Sequence, residues 1–293
     1  MFQFLFVILR HNMTNCSPLP KVTVITVVLN RIESIKSTIE DTLGQTYSNL
    51  EYIVIDGGSS DGTLEVIKSF SDRLLWISEP DNGIFDAMMK GARMASGNWL
   101  LFRNAGDYFY NNHIIADVFD NFKDNGEDII IGGMRRFVNK YYIDEFSDYP
   151  NKNYFEAMPS PHPSTFIRRS IQLKFPFPPQ YKQSADYWFF INVLKNGGTF
   201  LKLPYIISVF DARMGATVEH YDKSLKEDIS IFETFGAPIQ YIDEIKDKLN
   251  HLTKVNKRRK RFYWKWFYFF TRWYYGYYKG GWKRYYRFSE LLD

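Results

Sequence analysis

Asp56-Gly57-Gly58-Ser59-Ser60-Asp61-Gly62-Thr63 follows the apolar run Leu50 to Ile55 and decides how the chain is read. A strand that stops at a carboxylate, a turn with two glycines and a helix beginning at Asp61 together make a polar rim. In open α/β sheets, ligands bind at such rims, outside the carboxyl ends of the strands. The same residues also suit an ordinary strand-to-helix turn, with Asp61 as helix cap and Gly57, Gly58 and Gly62 relaxing the backbone. A second turn of this kind, Asn104-Ala105-Gly106-Asp107, ends another apolar strand and favours the ligand-binding reading.

Working outward, strands and helices alternate from Lys21. Val22 to Leu29 is a continuous β-branched run, as expected of a strand buried on both faces. Ile32, Ile35, Ile39 and Leu43 keep helical spacing up to Gly44. After the Leu50–Ile55 strand come a helix from Asp61 to about Phe70 and a strand from Leu74 to Ser78. A helix from Gly83 to Ala95 and a strand from Trp99 to Phe102 follow, then a helix near Ile114–Phe122 and a strand at Ile129–Ile131. Such alternation implies an α/β fold with a mostly parallel central sheet and right-handed crossovers, flanked by helices. Residues 134–165 mix aromatics, charges and prolines and are expected to be irregular. Asp186–Leu194 reads as a helix, Phe200–Phe210 as a strand, and Asp222–Leu252 as amphipathic helices broken at Pro238.

With 293 residues, 45% of them hydrophobic, the chain can bury a sizeable core, which excludes wholesale disorder. The single cysteine, Cys16, excludes an internal disulfide framework and a thiolate metal cluster. The net charge of +4 hides an asymmetry: residues 254–293 hold 12 Lys/Arg against 2 Asp/Glu, and the rest holds 25 against 31. Phe2–Leu9 is too short to span a bilayer and lacks the basic flank and cleavage site of a signal peptide. Translation is expected to begin at Met13, and no transmembrane helix is expected.

Six segments, in order, resemble glycosyltransferase family 2. They are Thr26-Val27-Val28-Leu29-Asn30, the Asp56–Thr63 turn, Glu79–Gly91, Asn104–Asp107, His162–Arg169 and Ser184-Ala185-Asp186-Tyr187-Trp188. The resemblance covers about residues 21–215 and implies a GT-A nucleotide-diphospho-sugar transferase fold. It implies a nucleotide-binding half at about 21–133 and an acceptor half at about 134–215. Asp56 is similar to the family's nucleobase-contacting aspartate, and Asn30, Asp81, Lys90 and Asn104 are implied to line the same donor site. Asp81 also reads as a cap ahead of Gly83, and Asp86 and Lys90, four apart on one helix, can pair. Asp107 stands in the acidic metal motif, where Asn104 and Gly106 replace the usual earlier aspartates. One carboxylate with diphosphate oxygens still suits Mg2+, and Mn2+ accepts the same ligands. Asp186 matches the catalytic base of an inverting transfer. His162, held between two prolines, is a candidate acceptor or metal contact, while Arg168 and Arg169 are expected to be solvated.

Beyond the 1–20 extension and the catalytic domain, residues 216–253 are expected to form amphipathic helices and 254–293 a helical, basic aromatic tail. Lys254–Phe288 holds 17 aromatics and no acid. Such a composition suits a membrane surface with anionic lipid, and is preferred here over packing on a partner or binding nucleic acid. The expected function is sugar transfer from a nucleotide-diphosphate sugar to a saccharide or lipid-linked saccharide in surface polysaccharide synthesis, at the inner face of the cell membrane. The alternatives are a membrane-associated scaffold that keeps the fold without activity, and a nucleotidyltransferase. Val24–Arg31 contains no glycine, which disfavours the latter and a dinucleotide-binding dehydrogenase alike.

Overall fold

The computed structural model describes residues 19–254, apart from 121, 139–140, 148–152, 157 and 212–220. The expectations for the N-terminal extension and for the tail beyond 254 lie outside the described residues.

Strand β1 (Val22–Val28) is buried at all seven positions. It pairs in parallel with β2 (Leu50–Asp56) on one side and β4 (Trp99–Asn104) on the other, and β2 continues in parallel to β3 (Leu75–Ser78). Helices α1 (Ile32–Leu43), α2 (Thr63–Lys68) and α3 (Ile84–Met94) make the crossovers. The register sets Val28 beside Asp56, Asp56 beside Ser78 and Val27 beside Asn104, so the carboxyl ends of the strands lie level.

Beyond β4 the sheet is mixed rather than mostly parallel. Strand β8 (Thr165–Arg168) runs antiparallel to β4 and to β6 (Ile129–Val138). Strand β9 (Phe200–Asp211) is parallel to β6, and β5 (Tyr108–Phe109) is antiparallel to β9. The order is β3-β2-β1-β4-β8-β6-β9-β5, with β7 (Tyr141–Glu145) on the far half of β6.

Strand alternation divides the core between the two faces. Ile25, Val27, Ile53, Ile55, Leu100 and Phe102 meet α3 and α6 (Ala185–Lys195) on one side. Val22, Val24, Tyr52, Val54, Trp99 and Leu101 meet α1 and α4 (Ile114–Phe119) on the other. Helix α3 crosses β1 closely at Gly91, where an added Cβ would run into Ile25. Helix α7 (Tyr221–Thr234) and helix α8, residues 239–254, bury Leu225, Ile231, Phe232, Ile242 and Ile245 in the first of these layers. Each such side chain contributes about 1.5–3 kcal/mol on burial, so these helices are integral to the sheet's core.

A further expectation is corrected. Part of 134–165 is regular: β6 continues to Val138 and returns as β7. Arg135 binds Asp144 through two bonds of 2.6 and 2.7 Å, Arg136 binds Glu145, and Phe137 lies 5.0 Å from Tyr142. A ribbon held by cross-strand charge and aromatic pairs shows little of the apolar alternation by which strands are read.

Candidate active site

The level strand ends gather the residues expected to line a donor site. Asn30 leaves β1 with φ 51°, a left-handed conformation that asparagine tolerates better than most side chains. Its N–H donates to Ser59 Oγ (2.7 Å), and its Oδ1 accepts from the Ser60 N–H (2.9 Å). Asp56 is fully buried and accepts from the Ser59 N–H and hydroxyl and from Ser78 Oγ (2.6 Å). These three donors occupy most of the roughly four lone-pair sites of a carboxylate. Asp56 therefore shapes the turn from beneath and retains little free acceptor capacity. Asp61 caps two helices, accepting from Thr63 N–H (3.0 Å) and Ile32 N–H (3.1 Å).

Asp81 accepts from the Gly83 N–H (2.8 Å) ahead of α3, and its other oxygen presses on Gly57, where a Cβ would lie only 2.5 Å away. Glycine at 57 thus lets the 79–83 loop approach the Asp56 turn. Lys90 is spent on that loop: its Nζ donates to the Pro80 carbonyl (2.9 Å), pairs with Glu79 at 2.8 Å, and lies 3.9 Å from Asp86.

At the end of β4, Asp107 is 3% exposed and accepts from the Asn104 N–H (2.8 Å). Burial pushes its carboxyl up to about 6, against the lowering effects of that bond and of Arg103. Asn104 Oδ1 is buried with no partner. The polar face of α1 supports the turn: Thr38 Oγ1 accepts from Gly106 N–H (2.9 Å), and Asp41 accepts from Phe109 N–H (2.8 Å) and Arg103 (2.9 Å). Among the described residues no group of three or more His, Cys, Asp or Glu could hold a metal alone. An orphaned amide oxygen beside a desolvated carboxylate does fit a hard divalent cation whose shell is completed by diphosphate oxygens and water.

Asp186 stands in the first turn of α6 with its side chain 20% exposed. Burial, then the charges of Asp228 and Glu227, push its carboxyl up to about 7. His162 Nδ1 lies 3.8 Å from Asp186 Oδ2. The imidazole is packed against Phe102, Phe177 and Phe190 at 5.5–6.2 Å between ring centroids, and its Nε2 is buried with no partner. Burial lowers its pKa to about 4, so it is neutral near pH 7. Phe102 lies two residues before Asn104 on β4, so His162 packs on the face of that strand that Asn104 also occupies.

Arg168 and Arg169 are partly exposed and make surface bonds away from the strand-end turns. Arg168 grips Asp124 and the Glu127 carbonyl beside Trp99, the first residue of β4, and Arg169 donates to the carbonyls of Ala92 and Arg93. Arg103, Glu227 and Asp228 are site residues that sequence reasoning missed. A charge at the end of the apolar run Trp99–Phe102 was a signal for Arg103; Glu227 and Asp228 carried none.

A half-parallel α/β sheet with polar turns at its strand ends and a buried carboxyl beyond them has the architecture of the nucleotide-diphospho-sugar transferase folds. The chain matches the family described as Glycosyl transferase family 2 over residues 23–179, more than half its length, and belongs to that family. A PGL/p-HBAD biosynthesis glycosyltransferase of Mycobacterium bovis is 33% identical over 103 residues, 34% of this chain and 40% of that relative. Glycosyltransferase GlyA of Streptococcus pneumoniae is 28% identical over 120 residues, covering 40% of this chain and 17% of that relative. The matches thus span less than half of these relatives. Among solved structures, Staphylococcus aureus TarS (residues 1–349) with UDP-GlcNAc aligns over 78% of this chain and 71% of its own, at 16% identity and a TM-score of 0.59. The mannosyltransferase PcManGT of Pyrobaculum calidifontis, with GDP-Man and Mn2+, aligns over 84% and 76%, also at 16% identity and 0.59. At that identity the likeness establishes the GT-A fold.

Proposed function

We propose that the protein is an inverting glycosyltransferase that moves a sugar from a nucleotide-diphosphate sugar to a hydroxyl of a saccharide or lipid-linked saccharide. The observation that carries this reading is Asp186: a carboxyl whose pKa lies near 7, beside a neutral histidine and next to the donor-side strand ends. A base so poised is half ionised near neutrality, where proton transfer is most effective. Asp186 takes the acceptor proton as the acceptor oxygen bonds to the anomeric carbon. The bond from that carbon to the diphosphate breaks, and the nucleoside diphosphate leaves with the electron pair. Attack from the face opposite the leaving group inverts the configuration. The Asn30–Ser59–Ser60 lattice and the Asp81 loop frame the nucleotide, and Lys90 steadies that loop.

TarS was solved with UDP-GlcNAc and PcManGT with GDP-Man and Mn2+, which supports a nucleotide-sugar donor and a divalent ion here. Asp107 and Asn104 would hold Mg2+ or Mn2+, which supplies neutralisation of charge on the departing diphosphate. A thermal-shift series of nucleoside diphosphates with each ion tests donor and ion together. The expected result is a rise in Tm for one nucleobase that needs the ion and is lost in Asp107→Ala. No response to any nucleotide would favour the second reading, a scaffold that keeps the fold without transfer. That reading draws on the inward turn of Asp107 onto Asn104.

Among the described residues no helix is long and apolar enough to cross a membrane. For residues 254–293 we propose attachment to the inner face of the cell membrane through Lys/Arg and aromatic side chains. The full chain is expected to pellet with vesicles containing phosphatidylglycerol at low salt and to be released by deletion of 255–293. Absence of lipid-dependent pelleting rejects the attachment.

A further inference from the structure

We propose that Glu227, on α7 and beyond the family-matched stretch, is a positioning residue that holds the Asp186 base and, through Lys182, the donor loop in one arrangement. The proposal rests on the reading of Asp186 as the base. Glu227 Oε1 accepts from the Lys182 N–H at 2.9 Å, and Oε2 accepts from the N–H groups of Gln183 (2.8 Å) and Ser184 (3.0 Å). These are the residues that lead into α6, whose first turn bears Asp186. Three successive peptide donors converge on one carboxylate more than forty residues away in the chain. Bonds to an ionised acceptor are roughly twice as strong as neutral ones.

The side chain of Lys182 carries the connection onward. Its Nζ donates to the Asn82 carbonyl at 2.7 Å, and its stem passes 3.8 Å from where a Cβ on Gly83 would lie. Asn82 follows Asp81, the residue that presses on Gly57. One run of bonds therefore joins α7, the turn that carries the base, and the loop that frames the nucleotide. A glutamate placed only to stabilise α7 would serve that helix; both Glu227 oxygens are spent on this turn.

Glutamine cannot replace it, because its single acceptor oxygen leaves an NH2 group facing a peptide N–H. Glu227→Gln is expected to lower transfer kcat by about 10- to 100-fold, the scale of a misplaced catalytic group, and, by loosening Lys182, to raise the donor KM several-fold as well. Lys182→Met, which cuts only the link to Asn82, is expected to raise the donor KM several-fold and spare kcat. Amide hydrogen exchange gives a readout independent of activity: in Glu227→Gln the amides of 182–184 should lose protection, while those of Phe189–Val193 keep it. Unchanged exchange at 182–184, or a folded Glu227→Gln enzyme with wild-type kcat, overturns the proposal. Loss of protection across α6 as well would make Glu227 a general stabiliser and also overturn it. A wild type that turns over no donor, with exchange at 182–184 still altered in the variant, overturns the transferase reading and with it the catalytic part of the proposal.

Discussion

Asp186→Asn is expected to lower transfer kcat by about 10²- to 10⁴-fold, the range in which a positioned general base contributes, while leaving the donor KM nearly unchanged. Asparagine keeps the shape of the carboxyl but cannot accept the acceptor's proton. The wild-type rate should rise with pH and reach half its plateau near the folded pKa, about 7. Below that value the carboxyl is protonated and cannot serve as base. In Asp186→Asn this limb should vanish from the residual rate. A variant with wild-type kcat, or one that keeps the limb near pH 7, removes Asp186 from the mechanism.

The same substitution should stabilise the fold, and the sign identifies the cause. Burial raises this carboxyl in the folded state above its unfolded value, so the folded form binds the proton more tightly. Stability from this group is fully present below about pH 4 and is lost as pH rises through about 7. Raising a carboxyl from its ordinary value to about 7 corresponds to at most about 4 kcal/mol. Asp186→Asn should therefore melt several degrees higher at pH 8 and show little gain at pH 4. His162 contributes oppositely, since its lowered pKa makes acid destabilising between about 6.5 and 4; at pH 8 it is neutral in the folded and unfolded forms alike and does not enter the comparison. An activity loss joined to a pH-dependent gain in Tm is the signature of a carboxylate held in place for chemistry at a cost to the fold.

The parallel half of the sheet was legible because strands buried on both faces read as unbroken apolar runs and end in turn residues. Asn30, Asp56 and Asn104 could be placed on one rim because parallel strands bring their carboxyl ends together. Asp61 was readable as a cap, though not as the residue that also ties down α1 at Ile32. Asp186 was singled out only through resemblance, since an aspartate opening a helix has no distinctive pattern. The contact of Glu227 with 182–184 left no trace, because pairing across more than forty residues creates no local periodicity. The β6–β7 ribbon escaped because charge pairs, rather than alternating apolar residues, hold it.

Arg103→Ala should cost about 3–5 kcal/mol, the range for removing one partner from a buried ion pair, and lower Tm by about 10 °C at 2–4 °C per kcal/mol. The guanidinium is wholly buried and donates to Asp41 (2.9 Å), Thr42 Oγ1 (3.1 Å) and the Asp107 carbonyl (2.6 Å), with Phe109 packed 3.8 Å beneath it. Its removal strands the Asp41 carboxylate and frees the turn that carries Asn104 and Asp107. Lysine offers a point charge in place of a planar fork, so Arg103→Lys should recover only part of the loss. Asp107→Asn provides the contrast. Burial has already pushed that carboxyl up to about 6, so neutralising it should leave Tm at pH 7 unchanged or higher while abolishing the ion-dependent nucleotide shift. On the proposed reading Arg103 carries the turn and Asp107 holds the ion. Equal losses of Tm in the two variants, measured by calorimetry, would refute that division.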